Sequence, residues 1–213
     1  MMQYLWQRPN WTNFRWQDEN LLAAIGRCRF LQGRLLGRLT SIGLSLENNA
    51  QMEIITEETL KTAAIEGENL SLKTVRSSVA GKLGLPSAGL SRDRHVDGLV
   101  EVLLDATKNH DQPLGVKRLW SWHAALFPTG YSGMHKIAVG KWRGEKPMQV
   151  VSGPVGRETV HFEAPPFTRV APERKDFLRW FVASGAALEG RLRGRLRHFR
   201  LVPFHLLPAA NGR

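Results

Sequence analysis

The sequence predicts a mainly α protein, a helical bundle carrying one β-hairpin and preceded by a small helical domain. Three observations lead to this class. Apolar side chains recur at helical spacing along most of the 213 residues, the pattern of helices that bury one face. Glycines and prolines cut that pattern into segments of ordinary helix length. One region alone, residues 148–162, breaks into two short Val- and Thr-containing runs around a Gly-Pro loop, the mark of a hairpin. By length and composition alone the chain suits one globular unit or two small ones.

Residues 3–16 hold Tyr4, Trp6, Trp11, Phe14 and Trp16. So many rings need cover, and an extended or two-stranded segment clamped onto the first helices supplies it. Asp18 is a fitting N-cap for a long helix. Leu21, Leu22, Ile25, Cys28, Gln32, Leu35, Leu36 and Leu39 then recur at helical spacing. This helix is expected to face the core and end at Gly43, with Arg27, Arg29, Arg34 and Arg38 mostly on its other faces. The next runs from about Gln51 to Glu66 on Met52, Ile55, Leu60 and Ala64, with Gly67 as its left-handed stop. Ser71 caps a third, which turns Val75, Val79 and Leu83 inward and stops at Gly84 and Pro86. A fourth, from about Asp93 to Asn109, carries the cleanest stripe: Val96, Leu99, Val100, Leu103 and Leu104. After Pro113 a helix over 116–127 carries Leu119, Trp122, Leu126 and Phe127, and His123 within it reads as a satisfied core histidine.

The hairpin strands are Met148–Ser152 and Glu158–Phe162, with residues 153–157 as the loop. Ala164-Pro165-Pro166 ends the second strand, because proline brings no ladder donor and restricts the residue before it. A lone two-stranded hairpin is marginal in water, so it needs helices or a partner to lie on. Helix resumes at Pro172 and continues to about Ala187 through Phe177, Trp180 and Phe181. From Glu189 the alternation of Arg with Leu or Gly has a period near two residues, and Gly190 and Gly194 interrupt any helix. Residues 182–210 read as a degraded or frame-disturbed stretch.

Net charge is +11 at pH 7, which raises nucleic acid as a partner. Between Glu189 and Arg213, six arginines stand against one acid. Without that tail the protein is only moderately basic, so nucleic acid is not the favoured partner. The single cysteine, Cys28, excludes an internal disulfide and fits a reducing compartment. No run approaches a membrane span and no secretory pattern opens the chain; a cytoplasmic location is the expectation.

Walker, GxSxG and HExxH motifs are absent. The seven histidines at 95, 110, 123, 135, 161, 198 and 205 show no ligand spacing, so no zinc site is expected. Glu66 sits at the negative end of a helix, with Glu68 just beyond. An acid there is unfavourable by about 0.3–1 kcal/mol unless a cation meets it. Either both acids are simply solvated at the helix end, or Glu66 is placed to pair with an arginine elsewhere in the chain.

Thr62-Ala63-Ala64-Ile65-Glu66-Gly67 resembles the inhibitory-helix pattern Ser/Thr-x-x-x-Glu-Gly/Asn of the Fic (Fido-fold) family. The block at 119–166, with WSWHAALFPTGYSG and KWRGEKPMQVVSGPVGRETVHFEAPP, resembles the same family. The aromatic N-terminus, QGRLLGRL and DRHVDGLVEVLLDAT are similar to the uncharacterised helical domain that precedes many bacterial Fic domains. The resemblance covers about residues 3–181 and implies an N-terminal helical domain over residues 1–92, carrying the inhibitory helix, followed by a Fido-type bundle over residues 93–213. It also implies transfer of AMP from ATP to a Ser, Thr or Tyr hydroxyl of a target protein. In that family the hairpin is a flap that clamps the target by strand pairing, here Met148, Gln149, Val150, Val151, Ser152, Val160 and His161. Thr62, Glu66 and Gly67 correspond to the inhibitory segment, whose glutamate salt-bridges an arginine needed by the ATP γ-phosphate.

The family signature His-Pro-Phe-x-Asp/Glu-Gly-Asn-Gly-Arg-x-x-Arg has one counterpart, HLLPAANGR at His205–Arg213. By that match His205 is the general base. Ala210, Asn211 and Gly212 line the phosphate-binding turn, and Arg213 neutralises phosphate charge. Leu206 and Leu207 replace Pro and Phe, and Ala210 replaces the first glycine. Ala209 stands where the family holds Mg²⁺ with an acid, so the expected ion lacks its ligand. The second arginine falls beyond the last residue. The reading is a Fic-type adenylyltransferase, autoinhibited by Glu66 and impaired in this chain. The alternatives are a catalytically dead Fic-like protein-binding module and, behind it, a basic nucleic-acid binder. ATP and a hydroxyl-bearing target protein are the expected partners, and homo-oligomerisation through the hairpin edge is left open.

Overall fold

The computed structural model describes residues 4–40, 47–86, 93–132, 134–154 and 156–202. They fall into two units, one running through Phe14 and again from Asp111 onward, the other Arg15–His110. Most of these residues are helical, and the strands form only two-stranded sheets. The fold is mainly α with a hairpin.

The Arg15–His110 unit contains α1 (Asp18–Thr40), α2 (Glu47–Ile65), α3 (Leu72–Leu83) and α4 (Arg94–Lys108). Its core is Ile55, Val75, Val79, Val96, Val100 and Leu104, edged by Met52, Leu60, Leu70 and Leu83. Asp93 caps α4 by accepting from the amides of His95 at 2.8 Å and Val96 at 3.4 Å. The inward face of α2 differs from expectation: Ala64 is exposed, whereas Thr56, Thr59 and Ala63 are buried. A threonine hydroxyl can turn back onto the preceding helical turn, as that of Thr59 does to the Ile55 carbonyl at 2.6 Å. Its methyl then packs like that of valine.

α1 departs most from its expected core-facing role. Leu22, Leu35 and Leu36 are 66%, 59% and 54% exposed, Cys28 and Gln32 are exposed too, and α1 adds nothing to the core of its unit. A periodic apolar stripe says that a face needs cover, not what covers it. α2, α3 and α4 close their core without it. Gly43, the expected stop, lies outside the described residues.

In the other unit the N-terminal aromatic segment is a single 3-10 turn, Leu5–Gln7, in otherwise irregular chain. Up to Phe14 it is tied to later residues of its own unit, whereas Trp16 Nε1 donates to Asp18 at the start of α1 at 2.8 Å. Trp6 Nε1 donates to the Glu163 carbonyl at 2.7 Å, Arg169 to that of Trp6 at 3.2 Å and Arg200 to that of Thr12 at 2.7 Å. Trp11 is buried with Val170, and Phe14, Trp142 and Leu201 pack on them. α5 (Val116–Leu126) leads to a short antiparallel pair, β1 (Tyr131–Ser132) and β2 (His135–Lys136), which the sequence does not separate from loop. β3 (Gln149–Ser152) and β4 (Thr159–Glu163) are the expected hairpin.

α6 (Phe167–Ala187) starts before Pro172, which sits inside it. α7 (Gly190–Leu201) stands where an irregular tail was expected. Glu189 caps α7, accepting from the amides of Arg191 at 2.7 Å and Leu192 at 3.2 Å. The buried residue of α7 is Leu196, and arginines share its inward stripe. Arg193 and Arg197 lie over the Phe181 ring at 4.5 and 5.7 Å, and Arg200 over Trp180 at 4.5 Å. A guanidinium is flat and weakly hydrated, so it covers a ring much as an apolar side chain does. Counting residues 193, 196, 197 and 200 as inward restores the helical period. Burial pushes the Arg200 guanidinium below its ordinary pKa, against the pull of Asp176 and Glu173.

Among the described residues, no helix is long and apolar enough to cross a membrane. Arg200→Ala removes the ring cover and the Thr12 bond together, an expected loss of about 1–3 kcal/mol. Arg200→Lys recovers less than half of it, because an ammonium does not lie flat on the indole. Urea midpoints of the full chain, followed by tryptophan fluorescence, measure both; an unchanged midpoint in Arg200→Ala overturns the expectation.

Candidate functional site

The hairpin stands on an anchored loop. Arg143 is buried, donates to the Pro165 carbonyl, and is pushed below its ordinary pKa by that burial. Trp142 packs against Trp120 at 5.7 Å and carries Arg174 over its face at 4.9 Å. His123 is buried beneath the loop. Its Nδ1 accepts from the Gly140 amide at 3.1 Å and its ring lies 5.1 Å from that of Phe127. It is a satisfied core histidine, as the sequence suggests. Arg143 goes unnoticed in sequence, because a single arginine in a Gly- and Lys-rich loop reads as solvated.

On this base β3 and β4 pair antiparallel, with Gln149 opposite Glu163, Val150 opposite Phe162, Val151 opposite Val160 and Ser152 opposite Thr159. The register shifts between Val150 and Val151, and His161 is the extra residue of a bulge, a device that bends and twists a ribbon. Met148 extends the pairing, accepting from the Ala164 amide at 2.8 Å. Gln149 Nε2 donates to the Glu163 carboxylate at 2.9 Å, and Ser152 Oγ lies 2.6 Å from His161 Nε2. Every flap residue expected from the sequence is thus in or beside one ribbon. Val150, Val151 and Val160 are between 37% and 42% exposed.

The two edges of the ribbon differ. On β4 the Trp6 indole caps the Glu163 carbonyl, and the Tyr4 ring meets Phe162 edge-on at 5.3 Å. Among the described residues the sheet has these two strands, so β3 offers its outer row of amides and carbonyls to a further strand. At the tip Gly153 has φ +104°, and a Cβ there would stand 2.9 Å from the Arg157 carbonyl oxygen. The amide of Gly156, and then its own, hold the Glu158 carboxyl below the usual carboxylate range.

The second candidate element is the end of α2. Glu68 N–H bonds the Ala63 carbonyl at 2.9 Å and Gly67 N–H the Ala64 carbonyl at 3.0 Å, with Gly67 at φ 79°. This is a Schellman closure, and glycine suits its left-handed position because a Cβ is disfavoured there. Thr62 is half-buried; Glu66 is exposed and pairs with no cation among the described residues. The neighbouring acid does have a partner, as His95 Nε2 sits 2.8 Å from the Glu68 carboxylate. His205, Ala209, Ala210, Asn211, Gly212 and Arg213 lie outside the described residues. Among the described residues no group of three or more His, Cys, Asp or Glu could hold a metal, and the Ala209 methyl offers no lone pair.

Gly153→Ala is expected to loosen the hairpin by about 1–3 kcal/mol, through a strained φ and a backbone clash. Faster amide exchange confined to β3 and β4 is the expected readout. Glu158 should titrate below an ordinary glutamate, so its hold on the turn is complete above the ordinary carboxylate range and lost as pH falls through the lowered value. The Gly156 amide proton shift should follow that titration and lose it in Glu158→Gln.

A domain family of unknown function, DUF4172, matches residues 4–85. No curated protein matches the chain. Among solved structures, a Fic family protein from Desulfovibrio desulfuricans G20 superposes with a TM-score of 0.57 at 20% identity, over 93% of this chain and 55% of that one. The chain thus spans about half the length of the structure it matches. It has the fold of a Fic family protein and is similar to DUF4172 over residues 4–85.

Proposed function

We propose that this chain is a Fic-type adenylyltransferase, moving AMP from ATP to a hydroxyl of a target protein. It is held off by Glu66 and impaired by alanine at the metal position. The observation that carries this reading is the asymmetric hairpin on a Fic-like fold. One edge is capped by Trp6 at 2.7 Å, and among the described residues no strand pairs with the other, which can receive an extended target segment. Along β3 that segment gains main-chain hydrogen bonds, and Val150, Val151 and Val160 give it apolar contact.

In the reaction the target hydroxyl oxygen attacks the α-phosphorus of ATP and the bond to the bridging oxygen breaks, so pyrophosphate leaves. His205 takes the hydroxyl proton, a role worth about 10²–10⁴-fold. The turn at Ala210, Asn211 and Gly212, with Arg213, meets the phosphates. Glu66, on the last turn of a helix closed by Gly67, competes for an arginine that ATP needs, and Thr62 precedes it on that turn. One thiol and no disulfide suit a cytoplasmic setting. The α7 arginines over Phe181 and Trp180 speak against a nucleic-acid reading, since their charge is spent on rings.

A second reading, a non-catalytic module that docks a partner along β3, is favoured by Ala209. Incubation of the full chain with α-labelled ATP and Mg²⁺ decides between them. Labelling of Glu66→Gly but not of the parent supports the autoinhibited transferase. Labelling that also requires Ala209→Glu assigns the impairment to the metal position. Silence in all three overturns catalysis and leaves the docking module.

A further inference from the structure

The open face of α1 is independent of the hairpin and of any reaction at the candidate site. Leu21, Ile25, Cys28, Gln32, Leu35 and position 39 follow one another at spacings of four and three residues in strict alternation. That is the seam of a two-stranded coiled coil, in which knobs every 3.5 residues on average meet a partner helix. Positions beside the seam are also largely apolar: Leu22 and Leu36 on one flank, Ala24 and Leu31 on the other. Leu22, Leu31, Leu35 and Leu36 are 66%, 48%, 59% and 54% exposed, and none of them belongs to the core that α2, α3 and α4 close. A polar-faced helix would need no cover; this one does.

We propose that α1 pairs with α1 of a second copy of this chain, antiparallel. The spacing calls for a helix, and the charges choose its direction. The acids of α1 are Asp18 and Glu19 in its first turn, whereas Arg27, Arg29, Arg34 and Arg38 occupy its middle and end. Antiparallel pairing sets the acidic end of each copy beside the basic end of the other and opposes the two helix dipoles. Parallel pairing sets like beside like at both ends. The seam also reads the same in reverse: Leu21 falls opposite position 39, Ile25 opposite Leu35, and Cys28 opposite Gln32. The polar Gln32 and small Cys28 thus share the central layers, which penalises slipped registers. With fewer than three full heptads in 23 residues, the pairing is reversible and concentration-dependent.

Light scattering on the full chain over a concentration series is the test. The mass is expected to rise from 24.0 kDa toward twice that value. Leu35→Glu, a change at an exposed position, should hold it at the monomer with the circular dichroism spectrum unchanged. In a Cys28→Ser background, Ile25→Cys protein mixed with Leu35→Cys protein under mild oxidant should give the mixed disulfide in excess over either symmetric one. A monomer at every concentration overturns the proposal and assigns the seam to a different occupant. A dimer that survives Leu35→Glu overturns it too, since association then uses another surface, and a majority of symmetric disulfides overturns the antiparallel direction.

Discussion

Flat cations laid over aromatic rings hold together the unit that carries the hairpin. Arg169 covers Trp6, Arg174 covers Trp142, Arg118 covers Trp122, Arg200 covers Trp180, and Arg193 and Arg197 share Phe181. Each contact is worth about 0.5–1 kcal/mol when wet and about 2 kcal/mol when desolvated. Their joint effect is larger than that sum suggests, because each guanidinium also bonds a backbone carbonyl or a carboxylate in several cases. Arg169 reaches the Trp6 carbonyl and pairs with Glu173, Arg193 reaches that of Phe181, and Arg200 that of Thr12. The strong positive charge of the chain is thus partly a packing material.

The hairpin depends on this lattice. Trp6, held under Arg169, blocks one strand edge, while Trp142 and Arg143 brace the loop that leads into β3. A ribbon of two strands has little stability of its own. Its orientation is set from below by the buried Arg143 and from the side by the N-terminal aromatics, so one edge stays available. The end of α2 is fixed differently. There the backbone does the work, through the glycine that reverses the chain after Glu66.

Much of this was legible from residue order, and the failures share a cause. α3, α4 and α5 follow from apolar periodicity with capping or stop residues at their ends, and the hairpin from Val- and Thr-containing runs around glycine. A pattern of apolar letters passes over Thr56 and Thr59 as core positions and Arg193, Arg197 and Arg200 as inward ones, because it registers neither a threonine buried on the inward face of its helix nor a guanidinium that packs by its face. α6 was started too late because Pro172 reads as a beginning, although a proline can lie within a helix at a cost in one hydrogen bond. For α1 the pattern was correct and its meaning incomplete. Leu35 and Leu36 announce a buried face without naming its cover. The base and phosphate groups inferred from His205–Arg213 rest on motif spacing alone.

The bond from Arg200 to the Thr12 carbonyl spans almost the whole described chain, with Arg15–His110 inserted between the halves of one unit. During synthesis the inserted helices have all their core partners once Lys108 has emerged, so they can settle early. The unit around them must wait, its tryptophan-rich opening segment exposed until α7 leaves the ribosome. During that interval Tyr4, Trp6, Trp11 and Phe14 lack the residues that cover them in the fold, and rings left exposed in this way favour aggregation.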